Sequence, residues 1–113
     1  CSPQAGQWAA LAAADCDMTE SFDTCRKKRD RLVEGLRDPY DFTHPDGAFS
    51  VSPTAPGGSG EQVDGRAARQ EQLLIVAGTV FGSADSHFRI SYTVSDTMLE
   101  RGIEALIRLA DKH

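Results

Sequence analysis

His87-Phe88-Arg89-Ile90-Ser91-Tyr92-Thr93-Val94 is the stretch whose reading decides the fold. Phe88, Ile90, Tyr92 and Val94 share one face at a period of two, and His87, Arg89, Ser91 and Thr93 share the other. Strict alternation of this kind marks a β-strand with one face in a core and one face turned out. Tyr92, on the apolar stripe with Phe88 and Ile90, is read as core. Arg89 lies mid-strand among small polar neighbours, and two readings of it stay open. It is an ordinary solvent-facing arginine, or it is a planar fork held on a rigid strand to grip a carboxylate at two points, which a lysine cannot do.

Downstream, Ser95 supplies a good N-cap, or Thr97-Met98-Leu99-Glu100 a capping box. The helix that follows carries Leu99, Ile103, Leu106 and Ala110 at helical spacing. Gly102 inside it costs about 1 kcal/mol against alanine, which suggests close packing at that point.

Upstream, Gly78-Thr79-Val80-Phe81-Gly82 places two glycines around an aromatic, a tight turn where backbone approaches something closely. Leu73–Ala77 is a short continuous apolar run, read as a buried strand. Residues 61–72 are polar and helical in pattern, with Gly65 a weak point. Pro53–Gly60 (Pro-Thr-Ala-Pro-Gly-Gly-Ser-Gly) is a flexible loop with no core-forming residue. Ala48–Ser52 is a strand with Phe49 and Val51 on one face. Pro45-Asp46-Gly47 is a turn, and Asp41–His44 a short strand.

Before these, residues 17–37 carry Met18, Phe22, Cys25, Leu32 and Leu36 at the period of an amphipathic helix, ended by Asp38-Pro39. Arg29 interrupts that stripe. Either its stem packs while its head reaches water, or it marks a seam facing another domain. Residues 4–15 are alanine-rich, with Trp8, Leu11 and Ala12 on one helical face, and the Trp8/Leu11 region is expected to promote self-association. The expected architecture is α+β: a small antiparallel or mixed sheet of three to four strands covered by helices.

With 113 residues, 40% hydrophobic, and a formal net charge of −5, the chain suits one modest core. The acidic balance argues against a nucleic-acid binder. The basic run Arg26-Lys27-Lys28-Arg29-Asp30-Arg31 is flanked by Glu20, Asp23 and Glu34 and reads as a solvated helix face. No apolar run approaches the roughly 18 residues that span a bilayer, and no signal-peptide pattern opens the chain, so no membrane partner is expected. Cys1, Cys16 and Cys25 are an odd number at loose spacing, which favours a reducing interior over a disulfide framework. Neither Cys16 nor Cys25 forms a zinc-ligand spacing with His44 or His87, and no metal is expected. No nucleophile-elbow motif joins the serines, histidines and aspartates. The chain opens at Cys1 rather than methionine, which hints at a piece of a longer or processed protein.

Gly47-Ala48-Phe49, then Gly78-Thr79-Val80-Phe81-Gly82, then Phe88-Arg89-Ile90-Ser91-Tyr92 and a capped helix, in that order, resemble the C-terminal small domain of class I/II pyridoxal-phosphate-dependent aminotransferases of fold type I, the aspartate aminotransferase-like family. Thr24-Cys25-Arg26-Lys27-Lys28-Arg29-Asp30 is similar to the family's tyrosine-arginine-rich helix. Gln7-Trp8-Ala9-Ala10-Leu11-Ala12 resembles the start of the region that links large and small domains. Ala77 stands where the family commonly has proline, and Gly57-Gly58-Ser59-Gly60 departs from its usual loop.

The resemblance implies that Arg89 binds the substrate α-carboxylate, with Phe49 and Phe81 shaping the pocket beside it. It implies residues 1–15 as the tail of an interdomain region and 16–113 as the small domain, with a large cofactor-binding domain lying before Cys1. It further implies a cytoplasmic enzyme, dimeric when intact, that moves an amino group between an amino acid and a 2-oxo acid using pyridoxal phosphate. That cofactor needs a Schiff-base lysine and a phosphate cradle. Lys27 and Lys28 lie on a charged helix face and Lys112 is next to the C-terminus, so no catalytic or cofactor-binding residue is assigned and the chain alone is expected to be inactive. Two alternatives stand beside this reading: the small domain of a related pyridoxal-phosphate lyase, synthase or decarboxylase, and a stand-alone binding module.

Overall fold

The alternating strand is the middle of the molecule's sheet. In the computed structural model, which describes residues 1–111, β3 (Phe88–Ser91) pairs antiparallel with β1 (Ser50–Val51) on one side and β2 (Val76–Ala77) on the other. Ser50 stands opposite Ser91 and Val51 opposite Ile90; Val76 stands opposite Arg89 and Ala77 opposite Phe88. Four helices complete the described fold: α1 (Gln4–Ala13), α2 (Thr19–Leu36), α3 (Gly60–Glu71) and α4 (Asp96–Asp111). This is the α+β arrangement the sequence predicts.

The predicted faces hold where they enter the core. Phe88, Ile90 and Tyr92 are buried and Val94 is partly buried against them, while His87, Ser91 and Thr93 are exposed. Leu99, Ile103 and Leu106 of α4 and Leu32 and Leu36 of α2 close over this stripe. Tyr40, just beyond α2, meets Phe88 edge-on, with centroids 5.6 Å apart and planes at 71°. Its hydroxyl donates to the Leu106 carbonyl at 2.8 Å. Burial pushes the Tyr40 phenol up to about 12, against the opposing pull of Arg66. Ser95 caps α4, its Oγ accepting from the Met98 amide at 3.3 Å.

Several expectations need correction. Asp41–His44 is not a strand: Asp41 gives one backbone bond, its carbonyl accepting from the Thr54 amide, and the flanking prolines Pro39 and Pro45 cannot donate. Phe49 does not share a face with Val51. Ala48 adopts a left-handed conformation (φ 60°), so the strand begins only at Ser50, and Phe49 is 51% exposed where Val51 is buried.

Pro53–Gly60 is not coreless, because Pro53, Ala55 and Gly60 are buried there. The Leu73–Ala77 run is not a continuous buried strand. Gln72 ends α3 in the left-handed region and the Leu73 amide closes that cap onto the Ala67 carbonyl, which leaves only Val76 and Ala77 to pair; Leu74 is 87% exposed. Gly102 is not at a close approach, since a Cβ there would meet only Leu73 Cδ1 at 3.9 Å. The tight crossing of α2 and α4 is at Gly35, where a Cβ would fall 2.6 Å from Ile103 Cγ2.

The apolar stripe of α2 is split. Leu32 and Leu36 are buried, whereas Met18 and Phe22 are exposed. No residue of α1 is buried, so Trp8 and Leu11 lie in the open. The basic run is taken up by ion pairs or a carbonyl: Arg26 with Asp23, Arg29 with Asp30, Arg31 twice with Glu100, and the Lys28 ammonium on the Val94 carbonyl. Arg29 keeps 19% of its side chain exposed beside Asp30. The three cysteines are unpaired. No described helix is long and apolar enough to cross a membrane.

Candidate functional site

Three residues far apart in sequence meet on the outward side of β3. Arg89 is half-buried, and its guanidinium carbon lies 5.6 Å from the centroid of the Phe49 ring and 4.9 Å from that of Phe81. Both distances lie within cation–π range. Each neighbour owes its place to a local backbone feature. Phe49 follows the left-handed Ala48, whose carbonyl accepts from the Tyr92 hydroxyl at 2.8 Å while the Phe49 carbonyl accepts from the Tyr92 amide at 3.1 Å. Phe81 is carried by the arch 78–84, which opens with a single 3₁₀ turn at Gly78–Val80.

Arg89, Phe81, Ser52, His87 and the glycines Gly78 and Gly82 line an open cleft of about 480 Å³. Among the described residues no carboxylate or carbonyl takes a hydrogen bond from the Arg89 guanidinium. Two aromatic rings flank the head, and a planar guanidinium so placed can take a carboxylate at two points.

Underneath lies a clamp that sequence reading missed. Ser59 is the N-cap of α3, its Oγ accepting from the Gln62 amide. The same hydroxyl donates to Asp85 Oδ2 at 2.5 Å, and Asp85 Oδ1 accepts from the Glu61 amide at 2.9 Å. The Ser59 hydroxyl first, then the Glu61 amide, hold the Asp85 carboxyl below the usual carboxylate range. Gly60 and Gly78 both press on the His87 carbonyl: a Cβ at Gly60 would fall 2.1 Å from that oxygen and one at Gly78 2.6 Å from it. The close approach anticipated for the Gly78–Gly82 turn is therefore at Gly78 alone; Gly82 has open space. The only sequence signal for the clamp is the small-residue run before Gly60, which is indistinguishable from a plain linker.

Pyridoxal phosphate does not fit the described residues. Lys28 is committed to the Val94 carbonyl and Asp96, and Lys27 is exposed on α2. Lys112 lies outside the described residues. No described lysine lines the cleft beside Arg89. Among the described residues no group of three His, Cys, Asp or Glu is assembled that could hold a metal ion.

In sequence the chain is 34% identical over 116 residues to the candidate aminotransferase YugH of Bacillus subtilis, covering 96% of this chain and 29% of that protein. It is 31% identical over 110 residues to the LL-diaminopimelate aminotransferase of Dehalococcoides mccartyi, covering 92% and 28%. In structure it superposes on the aspartate aminotransferase of Thermotoga maritima with a TM-score of 0.80 at 27% identity, over 99% of this chain and 29% of that one. In sequence and in fold it matches a part of these aminotransferases. The chain thus spans somewhat under a third of the length of the curated relatives it matches. No family model matches it.

Proposed function

We propose that this chain is the substrate-closing small domain of a pyridoxal-phosphate aminotransferase, and that Arg89 binds the α-carboxylate of an amino acid and of a 2-oxo acid in turn. The observation that carries the reading is the Arg89 head, flanked by Phe49 and Phe81 and unpaired among the described residues. Similarity to aminotransferases over nearly the whole chain supports it. Phe49 and Phe81 hold the fork, so that less rotamer freedom is lost when a carboxylate arrives. The N–H groups of the fork, unpaired among the described residues, supply two parallel donors.

In this proposal the cofactor, its lysine and its phosphate cradle lie in a large domain of the same parent protein, which is cytoplasmic and a homodimer. Residues 1–15 belong to the stretch joining the two domains and 16–113 to the small domain. Exposure of every residue of α1 supports that division. This chain alone does not transaminate.

The test has two steps. The reading frame around the chain is expected to encode a lysine-bearing domain; a frame without one removes the proposal in favour of a free-standing binding module. In the intact protein, Arg89→Ala is expected to lower kcat/KM for α-amino acids by about a hundredfold or more, the cost of losing two charge-assisted hydrogen bonds. An unchanged kcat/KM would reduce Arg89 to surface decoration.

A further inference from the structure

We propose that Asp85 is a positioning residue: it fastens the arch 78–84 to the first turn of α3 and thereby holds the Phe81 ring against Arg89. The consequence for carboxylate binding rests on the function proposed above; the fastening itself does not.

The arch has no anchor of its own in the core. Val80, Phe81, Gly82, Ser83 and Ala84 are all exposed, and Gly78 and Thr79 only partly covered. With no buried apolar side chain, its path is set by polar contacts at its ends. At one end the Gly78 amide donates to the His87 carbonyl at 2.8 Å, and the Thr79 hydroxyl donates to Glu61 Oε1 at 3.1 Å. At the other end Asp85 takes the Ser59 hydroxyl and the Glu61 amide on its carboxylate, and the Gly60 amide on its backbone carbonyl at 2.6 Å.

Three successive residues of the α3 N-terminus, Ser59, Gly60 and Glu61, therefore hold both feet of the arch. Two of the bonds to Asp85 use its carboxylate and are lost when that group is removed. The strand beyond it does not depend on them, because the Phe88 amide is independently bonded to the Pro53 carbonyl and Phe88 is buried. Loss of the Asp85 carboxylate thus frees the ring without unmaking the sheet.

The discriminating variant is Asp85→Asn. Its oxygen still accepts from the Glu61 amide and its NH₂ still meets the Ser59 hydroxyl, which can turn to accept. Asp85→Ala supplies neither partner. Ser59→Ala removes one of the two carboxylate bonds from the other side and serves as the second variant should Asp85→Ala fail to fold.

The experiment is solution NMR on this chain, following the nuclear Overhauser effect between the Phe81 ring and the Arg89 δ-methylene, with acetate titrated as the carboxylate probe and followed on the backbone amide resonances of Phe81, Gly82 and Ile90, which every variant retains. Asp85→Ala is expected to lose the ring contact and to bind acetate about fivefold more weakly, the effect of freeing one ordered side chain. Ser59→Ala is expected to weaken the contact, and Asp85→Asn to retain it with acetate affinity within about twofold of the parent chain.

A full-strength contact in Asp85→Ala, or in Ser59→Ala should Asp85→Ala fail to fold, would overturn the proposal, as would equal loss in the Asp85→Ala and Asp85→Asn variants. Arg89→Ala separates the two ideas. If it leaves acetate binding unchanged while Asp85→Ala still loses the contact, the fastening stands and the carboxylate role of Arg89 falls. If it abolishes binding while Asp85→Ala keeps the contact, the reverse holds.

Discussion

Phe88 and Arg89 are neighbours on one strand and belong to two different kinds of structure. Phe88 faces inward, fully buried, touching Tyr40 edge-on and packed in a cluster with Leu32, Leu36, Ile103 and Leu106. Arg89 faces outward between two exposed rings, one on a bend and one on an arch with no core residue. The inward face is held by burial from every side, so removing any atom is costly. The outward face is held by a few polar bonds to backbone, which leaves its side chains free to meet something else. A sheet only three strands wide can serve as scaffold and as site because alternation separates the two tasks residue by residue.

The largest expected effect tests that separation directly. Phe88→Ala should cost about 3–5 kcal/mol in urea denaturation, the usual range for emptying a fully buried aromatic site. Arg89→Ala should change the same quantity by less than about 1 kcal/mol. Comparable costs for the two would mean that the outward face also holds the fold together.

Next comes an alkaline transition belonging to the inward face. Tyr40 carries a neutral phenol whose folded pKa is raised to about 12 from about 10, chiefly by burial. Its contribution is fully present below about pH 10 and is lost as pH rises through about 12, on the order of 2 kcal/mol in all. Denaturation midpoints measured at intervals from pH 9 to 12 should fall across that window. Tyr40→Phe should flatten much of the fall, though not all of it, since burial also raises the Tyr92 phenol.

The smallest effects contrast two glycines. Gly78→Ala forces a methyl group toward the His87 carbonyl and should cost about 1–2 kcal/mol, because that oxygen cannot retreat without parting from the Gly78 amide. Gly102→Ala adds a methyl in ordinary contact range on α4 and should raise stability by up to about 1 kcal/mol. A loss at Gly102 would show that the helix is tighter against Leu73 than its spacing indicates.

The inward face was legible in the sequence because burial imposes periods: two along β3, and four and three along α4. The same periodicity overreached at Met18 and Phe22, where an apolar stripe continues past the surface that covers it. Leu73–Ala77 misled for another reason. Hydrophobicity there reports composition, whereas the left-handed Gln72 decides how many residues remain for the strand. Ala48 hides a kink that a glycine would have announced. Arg89 stands out by its place on the outward face of the strand, but its grouping with Phe49 and Phe81 came from family resemblance alone, since no spacing rule brings together residues from three segments. Asp85 carried no signal, because its role exists only when the start of α3 folds back against it.

α1 has a consequence of its own. Ten residues make three turns, below the length at which a helix persists unaided in water, and none of its side chains is buried. Its backbone bonds therefore contribute almost nothing to the cooperative melting of the rest. Amide hydrogens there exchange with solvent through local fraying at rates set by alanine's helix propensity, while those of β3 wait for global opening. Protection appearing along Gln4–Ala13 would report that the helix has found a surface to rest on.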